Sequence, residues 1–161
     1  MRRPFAFAAA LALVCAAAPA QIGSFDAPAK PKQYIAFAAE PQTIPAGKRH
    51  LVELRFTVGE GFHVNSHTPK SELLIPTNLT LPPADGVTVD PPLYPEGTEY
   101  SFAFEPNEKL DVYSGAFIVK LPVTAPAGTH TLTGTLRYQA CDHAACYPPR
   151  TLAVSVPIIA R

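Results

Sequence analysis

Apolar and polar side chains alternate with a period of two residues along several stretches of this chain. The clearest is 51–58, where four apolar residues are separated by Glu53, Arg55 and Thr57. Similar alternation is present in 111–123, and it returns in 129–138 and 151–158. This is the period of a strand with one buried face, because successive side chains of a strand point to opposite faces of the sheet. We therefore predict four long strands.

Shorter strands are predicted between these segments, at 34–39, 62–65, 79–81 and 87–89. The chain has 19 prolines and no amphipathic helical pattern, and proline clashes with the backbone inside a helix. Seven or eight short strands with frequent turns predict an all-β fold, an immunoglobulin-like antiparallel β-sandwich spanning 34–161.

Two features stand out within this predicted sandwich. Tyr100, Phe102 and Phe104 alternate with small residues, which indicates either an edge strand or an aromatic loop folded onto the body. The strands 129–138 and 151–158 flank a short connection, and they predict a hairpin with the cysteines at its tip.

The N-terminus has the pattern of an export signal. Two arginines precede an apolar run of about 14 residues and a small-residue cleavage motif, so 1–20 is predicted to be a signal peptide. Residues 21–33 are predicted to be a flexible lead-in. Acylation of Cys15 is the alternative. We expect a periplasmic or secreted protein.

Charge excludes some partners. Without 1–20 the chain keeps 11 basic and 13 acidic residues, so no basic face favours nucleic acid. Outside the signal no apolar segment approaches the roughly 20 residues that span a bilayer, so stable membrane insertion is not expected.

Cys141 and Cys146 are the chemical centre of the sequence. The pair would contribute little as a purely structural disulfide. A disulfide that closes a loop of about six residues stabilises the folded protein by only about 2 kcal/mol, whereas one that closes a loop of about 100 residues contributes nearly 5 kcal/mol. A short-range, exposed pair is typical of reactive disulfides. We expect Cys141 to be the more shielded. His143, when protonated, would stabilise a thiolate and Asp142 would oppose it.

A metal site is the chemical alternative. His63, His67, Cys141 and Cys146 supply the ligand types of a zinc or copper site. Within one strand, however, His63 and His67 would stand about 13 Å apart. The spacing favours His63 packed beside the cysteines and His67 in a solvated loop.

The cysteine segment also resembles a known family. Residues 138–141, Tyr-Gln-Ala-Cys, and 146–149, Cys-Tyr-Pro-Pro, are similar to the signature of the N-terminal periplasmic domain of the thiol:disulfide interchange protein DsbD. A looser likeness includes 61–64, Gly-Phe-His-Val, and extends over most of 34–158. Two departures are the four residues between the cysteines, where well-known members have five, and His63 and Asn65 in place of tyrosines.

The resemblance implies that Cys141 and Cys146 form a redox-active disulfide in an immunoglobulin-like domain that needs no cofactor. It implies electrons from a thioredoxin-like or membrane-embedded reductase acting in trans, passed on to periplasmic proteins that contain disulfides. It also implies a cap loop over the cysteines, with the aromatic residues Tyr94, Tyr100, Phe102 and Phe104. The candidate supporting residues are His63, Asn65, Tyr138, Asp142, His143 and Tyr147.

A different class of function fits the same fold. The domain would then be a binding module whose sheet edge or cap region recognises a partner, with a disulfide that only shapes the hairpin.

Overall fold

The computed structural model describes residues 33–84, 86–103 and 105–161. Within these residues the regular structure consists of twelve strands and no helix. The strands are β1 Ile35–Ala38, β2 Gln42–Ile44, β3 His50–Val58, β4 His63–Asn65, β5 Asn78–Thr80, β6 Thr88–Val89, β7 Thr98–Phe102, β8 Glu105–Tyr113, β9 Ala116–Thr124, β10 Gly128–Tyr138, β11 Ala140–Cys141 and β12 Arg150–Ala160. The described part of the chain therefore contains no helix that could cross a membrane.

Two four-stranded sheets form the sandwich. One has the order β1-β3-β9-β6 and the other β2-β12-β10-β5, and alternate side chains of both fill the core. The alternation in 51–58 is confirmed, because the four alternating apolar side chains from Val52 to Val58 are buried and the polar ones between them are exposed. The predicted all-β, immunoglobulin-like sandwich is thus confirmed.

The hairpin of β10 and β12 is confirmed as well, with pairing from Gly128 opposite Ala160 to Tyr138 opposite Arg150. Beyond Tyr138 the chain leaves this sheet. The short β11 joins a third sheet of order β11-β4-β8-β7, where Cys141 lies opposite His63. Both cysteines thus lie in the connection between β10 and β12, as predicted, and the first of them is in addition a strand residue of the third sheet.

Besides β11, the structure departs from the predicted strands at two places. No strand was predicted at 42–44, which is β2, and it pairs in parallel with β12 and buries Ile44. The single strand predicted at 111–123 is wrong, because β8 ends at Tyr113 and β9 begins at Ala116. Strand β8 begins at Glu105, well before 111, and its residues 105–109 are exposed. Their partner is β7, an edge strand that includes Tyr100 and Phe102. A strand in such an exposed ribbon shows no apolar alternation.

Several expectations fall outside the described residues. These are the signal peptide 1–20 with Cys15, the lead-in 21–33 apart from its last residue, and the aromatic residue Phe104.

Gly134 is a position of β10 where only a hydrogen fits. A Cβ there would collide with the Thr80 carbonyl oxygen and with Leu81 of the neighbouring segment. We expect Gly134→Ala to lower the free energy of unfolding by about 1–3 kcal/mol, measured by urea denaturation, because overpacking forces the backbone to move. The control is Gly59→Ala, whose Cβ would meet nothing closer than 3.6 Å. Equal stability of the two variants would contradict this packing.

Candidate disulfide exchange site

Cys141 and Cys146 are joined by a disulfide, and their Cα atoms lie 3.9 Å apart across an isolated β-bridge. The two sulfurs sit in different surroundings. Cys141 has no solvent exposure, whereas Cys146 is exposed in the loop that follows β11. The expectation of an exposed pair therefore holds for Cys146 alone. A partner can approach the bond from the Cys146 side.

The hairpin of β7 and β8 covers Cys141. Phe102, Leu110 and Val112 form a small buried cluster with the cysteine, and Leu74 and Tyr100 pack against its edge. This cluster is separate from the main core of the sandwich. It places two of the predicted cap residues, Tyr100 and Phe102, in the hairpin over the disulfide.

Tyr94 lies apart from this hairpin. Its ring stacks on His67 with 3.7 Å between centroids, and its hydroxyl oxygen accepts a hydrogen bond from the Leu79 backbone N at 2.7 Å. Burial raises the pKa of its phenol. Tyr94 thus connects β5 to the loop before β7, and it packs against the main core of the sandwich.

His63 occupies the position of β4 opposite Cys141, and it is buried. Its ring centroid lies 4.0 Å from that of Tyr100 and 6.0 Å from that of Phe102. Its Nε2 atom is buried without a hydrogen-bond partner among the described residues. Burial lowers the pKa of His63, and the negative charge of Asp142 offsets part of that effect. The imidazole is therefore neutral at pH 7.

The loop between the cysteines is organised by Asp142. Its carboxylate accepts hydrogen bonds from the backbone N of Ala144 and Ala145, at 2.8 and 2.9 Å, and from the Tyr147 hydroxyl. These bonds, with that of Tyr147 the largest cause, lower the pKa of Asp142 to about 2, and the same contact raises the pKa of Tyr147. The Tyr147 ring stacks on Tyr34 at 5.2 Å, which ties the loop to the sandwich.

His143 is exposed at the tip of this loop. With Phe62, His63 and Tyr100 it lines a cleft of about 360 Å³ between the loop and the edge strand β7. Of the residues between the two cysteines, His143 contributes to the lining, and the cysteines themselves do not.

Two further predicted residues, Asn65 and Tyr138, form hydrogen bonds next to the site. The buried Asn65 donates from Nδ2 to the Ile75 backbone O and to Gln139 Oε1, both at 3.1 Å. The buried Tyr138 donates to Gln33 Oε1 at 2.8 Å and accepts from the Tyr34 backbone N at 3.1 Å. Gln139 itself was absent from the predicted site. Its signal in the sequence is its place in the Tyr-Gln-Ala-Cys motif.

The metal alternative does not match this arrangement. In the described residues, no three or more His, Cys, Asp or Glu side chains converge into a group that could hold an ion. The cysteines are joined to each other, and His67 lies against Tyr94 with Nδ1 3.0 Å from the Thr77 backbone O. The structure therefore does not bring His63, His67, Cys141 and Cys146 together, and His67 is partly buried instead of solvated.

The sequence of this chain matches a known family model. The model described as "Thiol:disulfide interchange protein DsbD, N-terminal" matches residues 27–157. The chain belongs to the family of DsbD N-terminal domains. The resemblance read from the cysteine segment is therefore confirmed. This family is one of periplasmic domains, and membership together with the Cys141–Cys146 disulfide supports thiol-disulfide exchange.

No curated protein matches the chain. Solved structures do match, among them the crystal structure of the Neisseria meningitidis DsbD N-terminal domain in the reduced form. That chain is 22% identical, the alignment covers 68% of this chain and 78% of that one, and the TM-score is 0.45.

Proposed function

We propose that this domain is a periplasmic thiol-disulfide exchange protein that passes electrons from a thioredoxin-like or membrane-embedded reductase to partner proteins with disulfides. The observation that carries the proposal is the asymmetric pair, an exposed Cys146 joined to a buried Cys141 in a DsbD N-terminal domain. A purely structural disulfide has no need of an exposed cysteine.

Exposure sets the order of the exchange steps. A thiolate of the donor attacks the Cys146 sulfur, which breaks the bond to Cys141 and forms one mixed disulfide. The second thiol of the donor then attacks that mixed disulfide, so the donor leaves oxidised and the domain keeps two thiols. In the reverse direction, the Cys146 thiolate attacks the partner's disulfide and Cys141 resolves the mixed disulfide, which reduces the partner.

The surroundings of the pair do little to favour a thiolate. His63 is neutral at pH 7 because burial lowers its pKa, and Asp142 is anionic because its hydrogen bonds lower its own. Apolar surroundings and a negative charge both raise the pKa of a thiol. Burial under the hairpin therefore keeps the reduced Cys141 slow to react with small oxidants, whereas Cys146 stays accessible to a partner.

Two measurements test the proposal. In glutathione redox buffers, a reduction potential below about −300 mV would mark an inert structural bridge and contradict it. In cells, Cys141→Ala leaves the exposed thiol without its resolving partner, so we expect mixed disulfides to accumulate. Cys146→Ala, which leaves the buried thiol, should accumulate far fewer. A lack of mixed disulfides in both variants would favour a binding module with a structural disulfide.

A pH dependence of stability is expected from His63. Its folded pKa lies below the ordinary 6.5, so as pH falls below about 6.5 the unfolded chain takes up a proton more readily than the folded one. The free energy of unfolding in urea should therefore fall between pH 7.5 and 5.5. It should fall less in His63→Phe, which keeps a ring against Tyr100 but cannot titrate. Replacement of the exposed His50 with Gln is the control, and it should keep the wild-type pH dependence. An unchanged pH dependence in His63→Phe would contradict the buried neutral imidazole.

A further inference from the structure

The side chain of Gln139 connects three segments around the disulfide. Its Oε1 accepts hydrogen bonds from Asn65 Nδ2 and from the Ile75 backbone N, both at 3.1 Å. Its Nε2 donates to the Tyr147 backbone O at 3.2 Å. Two donors face one end of the amide and a carbonyl faces the other, so the partners fix its orientation.

One of these bonds reaches the exposed cysteine. Tyr147 directly follows Cys146, and its backbone is held from two sides, because its N also donates to the Ala140 O at 2.8 Å. Cys141, by contrast, is held by pairing with β4 and by burial under the β7–β8 hairpin. Once the disulfide opens, the position of Cys146 depends on its neighbour Tyr147, which is held by the Ala140 bond, by its ring on Tyr34 and by the bond from Gln139.

We propose that Gln139 is a positioning residue that keeps Cys146 within reach of Cys141 when the disulfide is open. It acts through the Tyr147 carbonyl, and its other end is braced by Asn65 and Ile75. The inference rests on the proposed exchange at the cysteine pair. Its consequence is a higher effective concentration of one thiol for the other, which favours the intramolecular disulfide and speeds resolution of a mixed disulfide.

Equilibrium with glutathione measures this effective concentration. The two protein thiols become one disulfide bond, while the disulfide of oxidised glutathione breaks and takes up two electrons and two protons to give two glutathione thiols. Without this hydrogen bond the Cys146 segment of the dithiol form samples more positions away from Cys141, so closure becomes less favourable. A loss of pre-organisation equivalent to one neutral hydrogen bond should lower the equilibrium constant for closure about fivefold. At 29.6 mV per tenfold, the reduction potential would rise by about 20 mV.

The test compares Gln139→Met with Gln42→Met. Gln42 is a matched control, since its side chain also bonds backbone at both ends, to the Glu53 O at 2.7 Å and the Glu53 N at 3.0 Å, within the sandwich. Both variants should lose some stability in urea. Only Gln139→Met should show the shifted glutathione equilibrium. Equal shifts in both variants, or no shift in Gln139→Met, would overturn the inference.

Gln139→Glu distinguishes the role of the amide oxygen from that of the amide nitrogen. It is also the test variant to use if Gln139→Met does not fold. A glutamate still offers acceptors to Asn65 and Ile75 but places an oxygen against the Tyr147 carbonyl. We expect at least the shift described for Met, and a wild-type equilibrium would overturn the role of the donor. Failure of the exchange function is distinguishable, because the wild-type pair would then stay oxidised throughout the glutathione range.

Discussion

Replacement of Phe102 with alanine is expected to raise the alkylation rate of Cys141 in the reduced protein by at least about tenfold. Phe102 is the aromatic member of the small cluster that covers this cysteine. Removal of a buried phenylalanine side chain typically costs about 3–5 kcal/mol. If half of that loss falls on the closed hairpin, the open form becomes roughly tenfold more populated, since each 1.4 kcal/mol is a factor of ten.

The measurement is the rate of modification by N-ethylmaleimide, with mass spectrometry to assign the modified cysteine. Phe117→Ala is the matched control, because Phe117 is also buried and stacked but lies in the main core, on Phe56 and Tyr113. It should lower global stability without a comparable gain in Cys141 labelling under native conditions. A wild-type labelling rate in Phe102→Ala would show that the hairpin does not control access to the sulfur.

The parts of this fold whose apolar and polar residues alternate regularly could be predicted from the sequence. Strand β3 and the β10–β12 hairpin have one buried face each, so their alternation is visible without the structure. The cysteine pair was visible for a similar reason, because its spacing and its flanking Tyr-Gln and Pro-Pro residues are local. Family membership followed from that motif.

The features that shape the site depend on contacts distant in sequence. Cys141 is buried because β11 pairs with β4, almost eighty residues earlier, and because the β7–β8 hairpin covers it. The exposed start of β8 carries no apolar alternation, so this part of the strand could not be predicted, and the cap over the cysteines was expected only from the family resemblance. Tyr94 shows the same limit. It was expected to belong to the cap over the cysteines, but its ring stacks on His67.

Tyr138 is expected to give the largest change in stability among the residues around the site. It has no exposed surface and is among the largest fully buried side chains of the described residues. It also stands where the chain passes from β10 to β11. We expect Tyr138→Ala to lower the free energy of unfolding by about 3–5 kcal/mol in urea denaturation, with loss of both core volume and hydrogen bonds.

Tyr138→Phe isolates the hydroxyl, which accepts from the Tyr34 backbone N and donates to Gln33. It should cost about 1–3 kcal/mol, because a buried backbone N–H loses its acceptor. Burial raises the pKa of Tyr138 above the ordinary 10.0, so its stabilising contribution is present below pH 10 and is lost as pH rises through the folded pKa. The phenylalanine variant should therefore lose less stability above pH 10 than the wild type. An equal alkaline loss in both proteins would contradict the buried phenol.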